Sequence, residues 1–201
     1  MTPNDTQQSK QPDQIDLELL ERIASKQDRQ ALAQLYERFR SPVSSFLLRK
    51  IREKKLIDEI YNDVMLIVWR KAPEFEAKSK VSTWVFGIAY RTSLAHSRKE
   101  LKHTDKTQEF VTTDIPEAQE SDASEQVRAA ITALSDNHRT VIELAYYYGH
   151  SVAEISEVID CPISTVKTRL FYARKHLKTS IETELNKSSE SLRKEASSNS
   201  K

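Results

Sequence analysis

The chain has 201 residues, 38% of them hydrophobic, which is apolar material for two small domains rather than one large core. Its formal net charge is +1, from 31 Lys and Arg against 30 Asp and Glu, so a nucleic-acid-binding face can arise only from segregation of charge along the chain. A single cysteine, Cys161, excludes an intrachain disulfide, and no apolar run approaches the roughly 18 residues of a membrane span.

Two glycines, six prolines and no long apolar/polar alternation predict an all-α chain. The polar start, Met1 to Gln14, lacks the basic and apolar regions of a secretory signal, which points to a cytoplasmic protein. It contains Pro3 and Pro12 and reads as a disordered leader over 1–14. Asp16 is placed to cap a helix from Leu17. Apolar residues then recur at helical spacing: Leu17, Leu20 and Ile23, next Leu32, Leu35 and Phe39, then Val43, Phe46 and Leu47, with Pro42 expected to divide the second helix from the third.

The next helix covers Ile57 to Arg70 on a stripe of Ile57, Ile60, Val64, Ile67 and Val68, and Pro73 closes it. Another runs from Ser82 to Lys99, with Trp84, Val85, Ile88, Ala89, Thr92 and Ala95 expected on its inner face. Between Thr104 and Gln126 acids outnumber the one base, Lys106, and Pro116 lies near the middle, so 103–125 reads as a flexible acidic linker. The organisation is thus a domain over 15–102, the linker, a second domain over 126–185, and a Ser/Lys/Glu-rich disordered tail over 186–201.

The second domain carries the sharpest local signals. Ser135 can cap a helix reaching Tyr148, with Val141, Leu144 and Ala145 inward and Gly149 where a left-handed C-cap belongs. Ser151 and Glu154 form a capping box for a short helix, Val152 to Ile159. After the turn Asp160-Cys161-Pro162, Ser164 is placed to cap a third helix whose Val166, Leu170 and Ala173 face inward. A short helix, a tight turn and a longer helix make a helix-turn-helix.

The outward face of that third helix, Ser164 to Lys175, is Thr165, Lys167, Thr168, Arg169, Phe171 and Tyr172, followed by Arg174, Lys175 and Lys178, and no acid occurs from Ile163 to Lys178. An isolated basic helix is more simply a solvated face. The capped short helix ahead of it is what turns the reading to DNA, with the first turns at base edges and the cations on phosphate. Cys161 has no companion and reads as a small packed residue; the five histidines show no ligand spacing, so neither metal nor cofactor is expected.

Ala133-Leu134-Ser135, Arg139-Thr140-Val141-Ile142, Ser151 to Ile155 and Ser164 to Leu170 through Ala173-Arg174 together resemble region 4 of the extracytoplasmic-function (ECF) sigma factors, the small two-domain group of the sigma-70 family. Asp58 to Trp69 resembles the family's region 2.2, which implies that Asp58, Glu59, Asn62, Asp63 and Leu66 bind RNA polymerase. On residues alone the acids would only solvate a surface helix.

Phe75, Val81 to Arg91 and Arg98-Lys99 resemble regions 2.3 and 2.4, which implies −10 recognition and duplex melting by Trp84, Phe86, Tyr90, Arg91, Arg98 and Lys99. Aromatic surfaces and cations are what single-strand capture requires, although Trp84 reads equally as a core anchor. Gly87 stands where the family commonly has a basic residue, and Arg91 where it often has Asn.

The resemblance spans roughly Leu17 to Leu177. It implies a bacterial transcription initiation factor and not an enzyme, with the polymerase core (β′ clamp helices and β flap), double-stranded and melted promoter DNA, and an anti-sigma factor as partners. It implies neither membrane insertion nor a small-molecule substrate, and places the linker near the RNA exit path. Ser164, Thr165, Lys167, Thr168, Arg169, Phe171, Tyr172, Arg174 and Lys175 would then bind the −35 element. The competing reading is a free-standing helix-turn-helix transcriptional regulator.

Overall fold

A computed structural model describes residues 12–51, 53–103 and 122–198, and every regular element among them is helical. They divide into two compact units. The first is built on α1 (Pro12–Lys26), α2 (Arg29–Leu48), α3 (Ile57–Lys71) and α4 (Val81–His103), with single 3-10 turns at Lys54–Leu56 and Ala72–Glu74. The second is built on α5 (Asp122–Thr132), α6 (Asp136–Tyr146), α7 (Val152–Ile159) and α8 (Ile163–Ser198).

The first core is an interlock of helical stripes. Leu20 and Ile23 of α1, Leu35, Val43, Phe46 and Leu47 of α2, Ile60 and Val64 of α3, and Val85 and Ala89 of α4 are all buried. Each such Leu, Ile, Val or Phe contributes roughly 1.5–3 kcal/mol against the entropy of ordering the chain. Tyr61 is buried with them, and its hydroxyl donates to the Tyr36 carbonyl. Burial pushes that hydroxyl above its ordinary pKa, so it remains a donor.

Several boundaries differ from the sequence expectation, each for a tertiary reason. Of the predicted leader, 1–11 lies outside the described residues and 12–14 is already in α1, opened by Pro12, whose missing N–H is harmless in a first turn. Asp16 is therefore inside the helix. It does not cap: it is 7% exposed and accepts from Arg38 Nε at 2.5 Å. Pro42 does not divide two helices but lies within α2, where it removes one N–H while Phe39, Val43, Phe46 and Leu47 stay buried on one continuous face.

Most of the predicted linker, 104–121, lies outside the described residues, whereas 122–125 belongs to α5. The expected tail is helical as far as Ser198. No Pro or Gly follows Pro162, and the Leu, Lys, Glu, Arg and Ala content of the segment propagates a helix already nucleated by packing.

The turn from α1 to α2 is built by one carboxylate. Gln27 takes a left-handed φ of 48°, and Asp28 then accepts from the N–H groups of Gln30 and Ala31 at 2.9 and 3.1 Å and from Arg22. The Arg22 hydrogen bond first, and the Ala31 N–H next, hold the Asp28 carboxyl below its ordinary value of 3.8. A depressed folded pKa means that the stabilisation is fully present above the unfolded value and is lost as pH falls through the folded one. Asp28→Ala is accordingly expected to lower the melting temperature at neutral pH, with the difference from wild type closing below about pH 4. Asp28→Asn, which can still cap, should retain part of the stability. Thermal melts across pH 2–7 check this; a deficit that persists in acid would assign the effect to packing instead.

Candidate nucleic-acid interface

The helix-turn-helix is assembled from local hydrogen bonds. Ser135 takes the N-cap position of α6 without a side-chain cap bond, and α6 ends at Tyr146, two residues before the expected end. Gly149 adopts the predicted left-handed conformation at φ 67°, and the His150 N–H closes on the Leu144 carbonyl at 2.9 Å. The capping box is formed in both directions: Ser151 N–H donates to Glu154 Oε2 at 2.7 Å, and Glu154 N–H donates to Ser151 Oγ at 3.3 Å.

The following turn has Asp160 at φ 49°, and the Cys161 N–H donates to the Ser156 carbonyl at 3.1 Å. Ser156 Oγ in turn donates to the Cys161 carbonyl at 2.5 Å. The half-buried Cys161 thus fastens the turn through its own backbone. Ser164 does not cap α8, because the helix already begins at Ile163, with the Val166 N–H on the Pro162 carbonyl at 3.1 Å.

Burial of Val166, Leu170 and Ala173 sets the orientation of α8. Ser164, Lys167, Thr168, Phe171, Tyr172, Arg174 and Lys175 are exposed, and Thr165 and Arg169 lie half-buried at the flanks. Thr168 Oγ1 donates to the Ser164 carbonyl and Arg174 Nε to the Leu170 carbonyl, so two of these polar groups are steadied along their own helix. Phe171 and Tyr172, 61% and 48% exposed, meet edge to face at 5.3 Å. The arrangement presents cations, hydroxyls and two aromatic rings with no intervening acid, which suits phosphate and base edges.

In the first unit α4 brings together most of the residues expected to meet the −10 element. Trp84, Arg91 and Arg98 recur every seven residues and so share one face of the helix, with Lys99 beside them. Arg91, Arg98 and Lys99 are exposed, while Trp84 and Tyr90 are half-buried. Trp84 is half-buried, and its ring packs on Phe75 at 5.2 Å.

Phe86 is a correction. It is 3% exposed and stands edge to face with Phe46 at 5.4 Å, so it is a core residue and offers no stacking surface. Ala95, expected inside, is exposed; Val81, Thr83 and Ser93 are buried instead.

On α3, Asp58, Glu59, Asn62 and Leu66 are exposed and Asp63 is half-buried. Leu66, at 45% exposure, adds an apolar group one turn beyond Asn62 and Asp63. Three supports were missed in sequence because they come from other helices. Arg40 of α2 lies 3.7 Å from Asp58, the Tyr36 hydroxyl donates to Asn62 Oδ1 at 2.9 Å, and His96 of α4 lies 3.4 Å from Asp63. Among the described residues no group of three or more His, Cys, Asp or Glu is placed to hold a metal.

Comparison with known proteins places both units. Residues 35–102 match the family described as Sigma-70 region 2, and residues 124–177 match Sigma-70, region 4, together well over half of the chain. The chain is 28% identical over 176 residues to the ECF RNA polymerase sigma factor SigK of Mycobacterium bovis (strain BCG / Pasteur 1173P2), covering 83% of this chain and 94% of that protein. SigK of Mycobacterium sp. (strain KMS) is 29% identical over 164 residues, 77% of this chain and 85% of the relative.

Among solved structures, CnrH in complex with the cytosolic domain of CnrY superposes with a TM-score of 0.61 at 19% identity, over 84% of this chain and 98% of that one. The sigma factor RpoE of Bartonella quintana, in complex with the anti-sigma factor NepR, gives 0.60 at 22% identity, over 71% and 91%. At those identities the likeness is one of fold.

Proposed function

This chain belongs to the extracytoplasmic-function group of the sigma-70 family, promoter-recognising initiation factors, and we propose how its surfaces divide that work. The first domain, 15–102, docks on core polymerase through Asp58, Glu59, Asn62, Asp63 and Leu66 of α3, the acids meeting a basic partner beside the exposed Leu66. Trp84, Tyr90, Arg91, Arg98 and Lys99 of α4 face the −10 element, with the half-buried Trp84 at hand for an unstacked base and the cations for phosphate.

The acidic segment 104–121 joins the first domain to the second, which begins with α5 and whose α8 lies in the major groove of the −35 element with Lys167 and Thr168 at base edges. Catalysis belongs to polymerase; the chain positions it. No helix among the described residues is long and apolar enough to cross a membrane, and the site of action is the compartment of polymerase, the cytoplasm. An anti-sigma partner, of the kind named with RpoE of Bartonella quintana, would compete for these same faces.

The observation that carries the reading is the acid-free stretch of α8 from Ile163 to Lys178, offered by a turn that reciprocal Ser156 and Cys161 hydrogen bonds hold. Run-off transcription with core polymerase, with and without this protein, on a promoter library is the direct test. Promoter-specific initiation that depends on the protein is expected. Stable sequence-specific DNA binding with no initiation would return the chain to a free-standing regulator.

A further inference from the structure

The chain has two glycines, and only one is explained by backbone conformation. Gly149 has a left-handed φ; Gly87 does not, and it lies inside α4, where glycine is a poor helix former. The space beside it supplies a reason. A Cβ on residue 87 would stand 3.3 Å from both terminal nitrogens of Arg91 and 3.6 Å from its Cζ. The guanidinium of Arg91 is thus folded back one turn along the helix and set against the bare backbone of Gly87, in the direction that helical side chains lean. Trp84, three residues before Gly87, lies on the same face.

We propose that Gly87 is a positioning residue for Arg91: its missing side chain seats the Arg91 guanidinium low on α4, on the helix face that also carries the half-buried Trp84, so that cation and ring present one surface to an unpaired base and its phosphate. A longer-reaching arginine with a free stem would sample many rotamers, whereas a seated one is pre-organised and loses less freedom on binding. A Cβ at 87 already makes the guanidinium give way by a few tenths of an ångström, and a larger side chain displaces it further. The fold itself tolerates the change, because the atoms that must give way are the far end of a flexible side chain.

This inference rests on the assignment of the α4 face to the −10 element, and a double-mutant cycle separates the two. The full-length protein is assembled with core polymerase, and strand opening is followed by permanganate reactivity on a duplex promoter and on the same promoter with a pre-melted bubble. Arg91→Ala should reduce duplex opening about ten-fold or more, as expected for loss of charge-assisted contacts. Gly87→Ala should reduce it by about three- to ten-fold, with an unchanged or higher melting temperature, and the double variant should be no worse than Arg91→Ala alone. Both defects should shrink on the bubble.

Full activity of Gly87→Ala beside an impaired Arg91→Ala would overturn the positioning role while leaving the face assignment intact, and so would additive losses in the double variant. A silent Arg91→Ala would overturn both.

Discussion

Lys167→Ala is expected to lower use of the preferred −35 sequence by roughly ten- to a hundred-fold, the range that corresponds to about 1–3 kcal/mol for a base-edge contact. Lys167 is exposed one turn into α8, where the first turns of a recognition helix reach furthest into the groove. The discriminating comparison is with Lys178→Ala. Lys178 lies three turns further along, and a weak exposed pair at 3.8 Å links it to Glu182, so its contribution is electrostatic and sequence-blind. Its removal should weaken binding to all sequences alike and reduce the slope of log K against log salt by about 1. Thr168→Ala should behave like Lys167→Ala: its hydroxyl proton is directed at the Ser164 carbonyl, which leaves the oxygen to accept from a base amino group. Titration against a randomised −35 library at several salt concentrations reads all three, and uniform losses across sequences for Lys167→Ala would remove the base-reading role.

What could be read in advance from the residues sorts by the range of the interaction. The capping box at Ser151 and Glu154 and the left-handed Gly149 involve neighbours a few positions apart, so their chemistry is written in one short string. The same holds for the inward set Val166, Leu170 and Ala173, whose spacing alone selects the face that α8 turns outward. Asp16 looked like a cap because its neighbours allow one; it is instead an ion-paired residue, since Arg38 comes from another helix.

Pro42 looked like a boundary because proline usually is one, and burial of the residues on both sides overrode it. Phe86 was misplaced for a related reason. On a helix where aromatic and apolar residues occur nearly all round, periodicity does not say which side is covered until Phe46 is in place. The supports of the α3 face, Tyr36, Arg40 and His96, belong to the same class of long-range partners and left no local signal.

The α3 face gives the larger expected effect. Asp58→Lys combined with Glu59→Lys should abolish assembly with core polymerase at physiological salt. Facing a basic partner, each reversal replaces an attraction by a repulsion of on the order of 1–4 kcal/mol, according to how much water remains between the charges. Two reversals therefore weaken the complex by about thirty-fold or more. The fold should survive: the Asp58 side chain is 77% exposed, and its 3.7 Å approach to Arg40 is a surface pair of little energetic weight. Leu66→Ala should add a smaller, salt-independent loss, because it removes apolar contact rather than charge. The physical signature is thus a split: the charge-reversal defect changes with ionic strength, the leucine defect does not, and neither alters binding of the −35 duplex by α8. Assembly measured by fluorescence anisotropy at low and high salt, alongside duplex binding, reads each arm. Unimpaired assembly of the charge-reversed protein would move the polymerase contact away from α3.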